Sequence, residues 1–254
     1  MLEIIQLLVL NDNYIHVLHD TISGETAVVD PAVAEPVLQL LKQKNWQLTY
    51  LLNTHHHSDH VGGNLELKQK TNCIIIGSEI DKHRIPAINK TVNEGDIITL
   101  GNHQATIMAM TGHTIGHIAY YFKENEALFC GDTLFAMGCG RLFEGTAEQL
   151  WQSLQKLKTL PLNTRCYCAH EYTQNNGRFA LSIESDNEDL KIRITEVNQL
   201  RLQGLSTIPT TIAQELKTNP FLREHSLSLQ QHLGLEGASA VEIFTQLRRL
   251  KDHF

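Results

Sequence analysis

The first two thirds of the chain alternate short apolar runs with polar and turn-forming residues. The runs are rich in Val, Ile, Leu, Tyr and Phe, and Asn, Asp, Gly or His separates them. In order they are IIQLLVL, YIHVL, TAVVD, LTYLLNT, CIIIG, DIITL, QATIMAM, IAYYF, ALFCGD and RCYCAH. Short apolar runs bounded by turn residues are typical of β-strands. Strands in this number predict two sheets.

Three stretches among the predicted strands carry helical periodicity instead. They are Ala34 to Lys44, Gly63 to Lys70 and Ala147 to Lys158. In the last of them apolar side chains recur every three or four residues, so they share one face of a helix. Helices of this kind cover the outer faces of sheets in layered α/β domains. The pattern therefore predicts an α/β sandwich.

The pattern changes after His170, where strand-like runs almost vanish and helix-like stretches alternate with polar loops. These stretches are Phe179 to Ile183, Glu188 to Leu202, Thr211 to Leu216 and Ala240 to Leu250. No linker rich in Pro, Gly or Ser separates the two regions, so we expect them to pack directly on each other. The sequence predicts a metal-binding domain of residues 1–170 and a smaller helical, substrate-binding domain of residues 171–254.

The composition favours a globular protein that binds neither nucleic acid nor a membrane. A chain of 254 residues with 42% hydrophobic residues can bury a sizeable core. Its formal net charge of -7 disfavours a nucleic-acid partner, because nucleic-acid-binding proteins usually carry a basic patch. No apolar stretch reaches the roughly 18 residues of a membrane span, and no basic segment precedes the first apolar run. We therefore expect no membrane partner.

The five cysteines are odd in number and scattered along the chain. Without a secretory signal, this pattern favours reduced thiols and a location in the cytoplasm. Cys166 and Cys168 would share one face of a strand. Two interpretations fit that spacing, a pair of metal ligands or two small buried side chains.

Histidine is unusually frequent, and four of the 14 histidines fall within six positions. His55, His57, Asp59 and His60 follow the predicted strand LTYLLN and precede a helical pattern. Because side chains alternate along extended backbone, His55 and His57 would point the same way. His56 would then point away. Imidazole and carboxylate ligands without thiolate suit an open catalytic site for zinc, iron or manganese.

One segment cannot fill two coordination spheres, and three other predicted strands end on a residue that can bind metal. His113 follows QATIMAMT, Asp132 follows ALFCG, and His170 follows RCYCA. Sites assembled from several elements typically lie on loops at one edge of a sheet scaffold. Together these residues predict a site that holds two metal ions.

The segments THHHSDH, TGHTIGH, CGDTLF and CAHEYT resemble the successive motifs of metallo-β-lactamase superfamily hydrolases. The resemblance implies a four-layer αββα sandwich, here with a helical C-terminal domain. It also implies that His55, His57 and His113 bind one metal ion, and that Asp59, His60 and His170 bind the other. Asp132 would bridge both. Two divalent ions are implied, zinc foremost, with iron or manganese as alternatives.

Further segments resemble the glyoxalase II family of hydroxyacylglutathione hydrolases. They are MGCGRLFEGT, HEYTQNN, NPFLR and LRRLKDHF, and with the metal motifs they extend the resemblance over essentially the whole chain. In that family, basic residues hold the carboxylates of glutathione, which guanidinium groups suit. The substrate-binding residues implied here are Arg141, Phe143, Tyr172, Arg248 and Lys251. Phe143 stands where relatives often carry Tyr, and Arg141 where they often carry Lys.

The resemblance implies a thioesterase that hydrolyses S-(2-hydroxyacyl)glutathione, chiefly S-D-lactoylglutathione, to glutathione and D-lactate. This is the second step of methylglyoxal detoxification. The nucleophile would be a metal-bound hydroxide, with Asp59 and Asp132 as catalytic residues. We expect a small-molecule thioester as the partner and a monomeric protein.

Two alternatives stay open at this point. A persulfide dioxygenase uses similar first-site histidines with a single iron, but the complete second site and the helical C-terminal region argue against it. A non-catalytic protein that binds glutathione or metal is the other alternative. The intact set of ligands argues against a loss of activity.

Overall fold

A computed structural model describes every residue from Met1 to Phe254, and the chain divides into two compact units. The first unit comprises Met1–Met110 and Ile115–Gly131, and the second comprises Thr111–Thr114 and Asp132–Phe254. None of the helices combines the length and the apolar character that a membrane crossing requires.

A mixed six-stranded sheet forms most of the first unit. Its strands, in spatial and sequence order, are β1 (Leu2–Val9), β2 (Asn13–Asp20), β3 (Glu25–Val29), β4 (Gln47–Leu52), β5 (Ile74–Ser78) and β6 (Lys90–Val92). The first three strands pair antiparallel, whereas β3 to β6 pair parallel. Parallel neighbours require crossover connections, which place the carboxyl ends of β3, β4 and β5 at one edge of the sheet.

Helices make two of these crossovers. Helix α1 (Glu35–Lys44) connects β3 to β4, and the short α2 (Ser58–Val61) with α3 (Asn64–Thr71) connects β4 to β5. Helix α1 ends at Asn45 in the left-handed conformation, with a φ of 56°. A buried apolar cluster that includes Val37 and Leu41 of α1 packs against the sheet. The crossovers therefore fix the loop after β4, where the histidine cluster lies.

Four antiparallel strands complete the first unit. They are β7 (Ile97–Leu100), β8 (His103–Ala109), β9 (Ile118–Phe122) and β10 (Ala127–Gly131), which neighbour one another in the spatial order β10-β9-β8-β7. Every residue of β9 and β10 is buried. The two sheets predicted from the apolar runs are confirmed.

The second unit is mainly helical. Its helices are α4 (Ala147–Lys158), α5 (Thr173–Ile183), α6 (Glu188–Leu202), α7 (Ile212–Thr218), α8 (Leu227–Leu233) and α9 (Ala240–Asp252). Its strands are the hairpin of β11 (Leu134–Phe135) with β12 (Gly138–Cys139), and the pair β13 (Arg165–Cys168) with β14 (Thr210–Thr211). Capping boxes at Thr146 and Ser239 fix the first residues of α4 and α9.

Each helix predicted from periodicity is present, and α4 and α6 have the predicted bounds. The remaining predicted helices shift by one to six residues at an end, as helix termini set by capping and packing do. The sequence patterns did not predict α2, α8, β6, β11, β12 or β14. These elements are seven residues or shorter, which leaves too little sequence for a period to emerge.

The boundary between the two units differs from the predicted division after His170. Helix α4, the β11–β12 hairpin and β13 cluster with the C-terminal helices, because α4 packs against α9 and α7. The predicted division into domains of residues 1–170 and 171–254 stays a prediction.

Candidate metal centre and substrate cavity

The four metal-binding candidates of the first unit lie on the loop after β4 and on α2. His55 and His60 are buried, and Nε2 of His55 lies 3.0 Å from Nδ1 of His57. Asp59 is partly exposed, with 40% of its side chain accessible. Nδ2 of Asn13 donates to Oδ2 of Asp59 at 3.0 Å and thereby orients the carboxylate. These residues concentrate imidazole and carboxylate ligands at one edge of the sheet.

Buried hydrogen bonds set the tautomers of two of these histidines. Oδ2 of Asp30 accepts from Oγ1 of Thr54 at 2.6 Å and lies 3.0 Å from Nδ1 of His60. A carboxylate only accepts, so Nδ1 of His60 carries the proton. Oγ1 of Thr54 lies 3.0 Å from Nδ1 of His55. Since its hydrogen is donated to Asp30, it accepts from His55, and Nε2 of both histidines keeps a lone pair for a metal ion.

Sequence reasoning missed Asp30. It is buried, directly follows β3 and adopts a φ of 50°. With His55 and His60 it forms a buried group whose potential ligand atoms lie within 4.8 Å of one another. The only sequence signal was an Asp-Pro pair at the end of an apolar run, which is equally typical of a turn.

His56 and His117 belong to no group of three or more candidate metal ligands. Nδ1 of His56 instead lies 3.1 Å from Oδ2 of Asp81, a buried carboxylate that also pairs with Arg84. His117 stacks on His55 at a centroid distance of 4.7 Å. The alternating register of extended backbone accounts for the different surroundings of His56.

Asp132 lies between two histidines in the second unit. Its Oδ2 is 3.5 Å from Nε2 of His113, and its Oδ1 is 3.5 Å from Nε2 of His170. Nδ1 of His113 donates to the carbonyl oxygen of Arg141 at 2.8 Å, so Nε2 of His113 carries a lone pair. A carboxylate whose two oxygens face two different imidazoles has the donor set of a bridging metal ligand.

A glycine allows the chain to pass close to Asp132. A Cβ atom on Gly140 would lie 1.9 Å from the carbonyl oxygen of Asp132 and 3.2 Å from Nδ1 of His113. No other residue type fits at this position without moving the backbone. The glycine of the GCGR segment therefore brings the loop that carries Arg141 against two candidate metal ligands.

A cavity of about 390 Å³ opens in the second unit beside His113 and Asp132. All five predicted substrate-binding residues line it, namely Arg141, Phe143, Tyr172, Arg248 and Lys251. Its volume is in the range of small-molecule sites. The structure thus brings together residues that are more than 100 positions apart in sequence.

Aromatic rings form the walls of the cavity beside the ligands. Tyr172 stacks on His170 with a centroid distance of 4.7 Å and an interplanar angle of 4°. Phe143 meets His113 edge to face at 5.1 Å. Phe143 is 63% exposed, so its ring is available to a bound molecule.

Three cations face the cavity in different states. Arg248 is buried and pairs with Asp252, whereas the side chain of Arg141 is 61% exposed. Nζ of Lys251 lies over the rings of Phe179 and Phe254, 5.4 and 5.2 Å from their centroids. Burial, reinforced by the nearby arginines, lowers the pKa of Lys251 to about 8. An anion in the cavity would stabilise the charged form of this lysine.

None of the five cysteines has the properties of a nucleophile or metal ligand. All are buried, none forms a disulfide, and none belongs to a candidate metal group. Burial raises the pKa of Cys139 to about 11, and it raises the pKa of Cys166 well above its ordinary value. Of the two interpretations of Cys166 and Cys168, the structure favours small buried side chains.

Comparisons with known proteins agree with this geometry. Residues 15–170 match the family described as the metallo-beta-lactamase superfamily, and residues 171–254 match the hydroxyacylglutathione hydrolase C-terminus. A hydroxyacylglutathione hydrolase of Methylococcus capsulatus is 53% identical over 254 residues, which span 100% of this chain and 99% of the relative. The chain belongs to the hydroxyacylglutathione hydrolase family. A second member, from Rhodospirillum rubrum, is 51% identical and is matched over 100% of this chain and 99% of its own.

Solved structures of other proteins share the fold of this chain. The crystal structure of ETHE1 from Myxococcus xanthus is 24% identical, has a TM-score of 0.69 and is matched over 98% of each chain. That of the BLEG-1 B3 metallo-beta-lactamase is 21% identical, with a TM-score of 0.68 over 87% of this chain and 100% of that one. Both show the metallo-β-lactamase fold, and the predicted α/β fold class is confirmed.

The donor chemistry fits the metal ions that this fold implies. Each unit presents imidazole nitrogens with lone pairs next to carboxylate oxygens, without thiolate, which suits an open catalytic site for a divalent ion. The chain is therefore a member of the hydroxyacylglutathione hydrolase family whose His and Asp groups are suited to divalent metal ions.

Proposed function

We propose that this protein hydrolyses S-(2-hydroxyacyl)glutathione thioesters, chiefly S-D-lactoylglutathione, to glutathione and D-lactate. The observation that carries the proposal is the cavity of the second unit, where Arg141 and Lys251 line the same space as His113 and Asp132. Cations that suit a carboxylate thus lie beside the ligands of a hydrolytic centre. Identity of 53% to a hydroxyacylglutathione hydrolase over the whole chain supports the same conclusion.

Seven side chains would hold two divalent metal ions. His55, His57 and His113 would bind one ion, Asp59, His60 and His170 would bind the other, and Asp132 would bridge them. We propose zinc for both, because open sites with His and Asp ligands are typical of catalytic zinc, while iron and manganese accept the same ligands. When bound, the two ions supply Lewis acidity toward the thioester carbonyl and an activated water.

Protein side chains would orient the reacting groups. Asn13 fixes the carboxylate of Asp59, which is accessible enough to accept a hydrogen bond from the attacking water. Asp30 and Thr54 keep Nε2 of His55 and His60 unprotonated. Because these groups are held before substrate binds, little reorganisation is needed during the reaction.

The cavity would bind the glutathione part of the substrate. Arg141 and Lys251 would attract a carboxylate of glutathione. The exposed faces of Phe143 and Tyr172 would contact the peptide backbone of glutathione. The leaving group is a thiolate, whose conjugate thiol has a pKa of about 8 to 9, so no strong general acid is required. Burial raises the pKa of Cys139 to about 11, so we assign its protonated thiol no role in the proposed reaction.

The decisive experiment measures hydrolysis of S-D-lactoylglutathione by purified protein before chelation, after chelation and after zinc is restored. We expect hydrolysis that is lost on chelation and returns with about two metal ions per chain, counted by elemental analysis. Fully metallated protein that binds S-methylglutathione without hydrolysing the thioester would favour a non-catalytic binding protein. Oxygen consumption with glutathione persulfide would favour a dioxygenase instead. The monomeric state and the cytoplasmic location stay predictions.

A further inference from the structure

Asp252, in the last turn of α9, lies between two arginines of the cavity. Its Oδ1 accepts from Nε of Arg248 at 3.1 Å and lies 2.9 Å from Nη2 of the same guanidinium. Nε of Arg141 lies 3.5 Å from the same oxygen. Asp252 also lines the cavity, and its side chain is 32% exposed. One carboxylate thus joins the C-terminal helix to the loop that carries Arg141.

Arg248 has little left to offer a substrate. Its Nη1 donates to the carbonyl oxygens of Cys139 and Gly140 at 2.9 and 3.3 Å, and its Nε and Nη2 are directed at Asp252. A guanidinium has five N–H groups on three nitrogens, and each of the three nitrogens already faces an acceptor within the protein. Its Cζ also lies over the ring of Phe221, 5.2 Å from the centroid. These contacts make Arg248 a positioning residue for the β11–β12 hairpin.

Arg141 is arranged in the opposite way. Its Nε faces Asp252, and its side chain makes no other ion pair or hydrogen bond within the chain. The edge formed by Nη1 and Nη2 is therefore open, and it is the edge that binds a carboxylate with two parallel hydrogen bonds. A long exposed side chain loses rotamer freedom when it binds a ligand. Pairing with Asp252 removes part of that freedom in advance.

We propose that Asp252 is a positioning residue that presents the open edge of Arg141 to a carboxylate of the glutathione thioester. By pairing with Arg248 as well, it keeps that arginine on the hairpin. The proposal rests on the proposed function, because the carboxylate belongs to the thioester. A lysine at position 141 has a single ammonium group, so it cannot face Asp252 and a substrate with separate edges. The arginine of this chain therefore gives Asp252 a role that a lysine would not.

Asp252→Asn tests the proposal, because it keeps the size of the side chain and an acceptor for Arg248 but removes the negative charge. We expect KM for S-D-lactoylglutathione to rise about twofold to fivefold, the range of an exposed ion pair, with kcat changed less than about twofold. The Kd of S-methylglutathione, measured by calorimetry, should rise by the same factor. Asp252→Glu retains the charge and should recover most of the loss.

A double-mutant cycle separates this role from a general one. In the Arg141→Ala background, Asp252→Asn should no longer change KM, because the partner through which it acts is gone. The matched control is Asp189→Asn, which neutralises an exposed carboxylate of α6 that lies 3.7 Å from Lys217, and it should leave KM unchanged.

Three results would overturn the inference. A lower KM in Asp252→Asn would show that Asp252 competes with the substrate for the arginines. An equal effect with and without Arg141 would show that it acts by another route, and an unchanged KM and Kd would show no role. If wild-type protein with full metal does not hydrolyse the thioester, the proposed function fails. Binding of S-methylglutathione still reports separately on Asp252 in that case.

Discussion

Oδ2 of Asp30 and Nδ1 of His60 are 3.0 Å apart in the buried edge of the first sheet. The same carboxylate accepts from the backbone N–H of Thr54 at 2.8 Å and from its Oγ1 at 2.6 Å. Three donors therefore converge on one side chain. This relationship decides which nitrogen of His60 carries a proton, and hence which nitrogen can bind a metal ion.

Asp30→Asn should weaken metal binding at the site that includes His60. An amide has one oxygen for these donors, and its NH2 group would face either Thr54 or Nδ1 of His60. If the proton of His60 moves to Nε2, that ligand is lost. We expect metal affinity to fall about tenfold to a hundredfold, measured as bound metal after dialysis against graded chelator.

Asp20→Asn is the matched control for this variant. Asp20 is also buried, and it accepts hydrogen bonds from the backbone N–H groups of Ile22 and Asn102. It is the last residue of β2, away from the histidine cluster. Its replacement should lower the melting temperature but leave about two metal ions per chain. Equal loss of metal in both variants would attribute the effect of Asp30→Asn to general destabilisation.

The pattern of apolar runs shows where strands end, and this is why the sequence alone predicts candidate metal ligands at those positions. His113, Asp132 and His170 each follow such a run, and the loop of each lies at the end of an observed strand or directly after it. Asp30 also follows a run, but a single carboxylate before proline carries no information about its partner. Its role depends on the parallel pairing of β3 with β4, which brings it to Thr54.

Asp59→Ala should remove one of the two metal ions and slow the reaction. Loss of this carboxylate should reduce bound metal from about two ions to about one per chain and lower kcat by about a hundredfold to a thousandfold. Asn13→Ala provides the comparison, since it removes only the hydrogen bond that orients Asp59 and should retain both ions. Full activity of Asp59→Ala with one ion per chain would contradict the binuclear proposal.

Phe143→Tyr should strengthen substrate binding. The ring is exposed beside His113 at the cavity. A new hydrogen bond to the glutathione backbone should lower KM by about twofold to tenfold. Phe143→Leu, which keeps an apolar side chain without the hydroxyl, should not lower it. A KM that stays the same in Phe143→Tyr would place the substrate out of reach of the new hydroxyl.

Lys251 should make substrate binding depend on pH above neutrality. Its pKa is lowered to about 8, so the side chain is charged at pH 7 and loses its proton as pH rises through 8. Affinity for the carboxylates of S-methylglutathione should be full below that pH and decline above it. In Lys251→Arg, which stays charged, the decline should be absent up to about pH 9.5. Parallel profiles of Kd against pH in both proteins would exclude Lys251 as the titrating group.

The sequence does not show which of the three cavity cations are already paired within the protein. The family resemblance implies that Arg141, Arg248 and Lys251 hold the carboxylates of glutathione, and all three line the cavity. Whether a guanidinium is open or already engaged depends on the approach of the β11–β12 hairpin to α9, which no sequence pattern records. Short hairpins of two-residue strands also lack the length that makes a period visible.

The hairpin rests on a buried ion pair of the helical region. Oε2 of Glu215 accepts from the backbone N–H of Met137, its Oε1 accepts from Arg193, and Nδ2 of Asn219 donates to the carbonyl oxygen of Gly138. A graft of residues 171–254 onto another metallo-β-lactamase scaffold would leave these buried groups facing an unrelated loop. A graft intended to transfer glutathione binding should therefore start at Asp132, so that it includes both the hairpin and the helices.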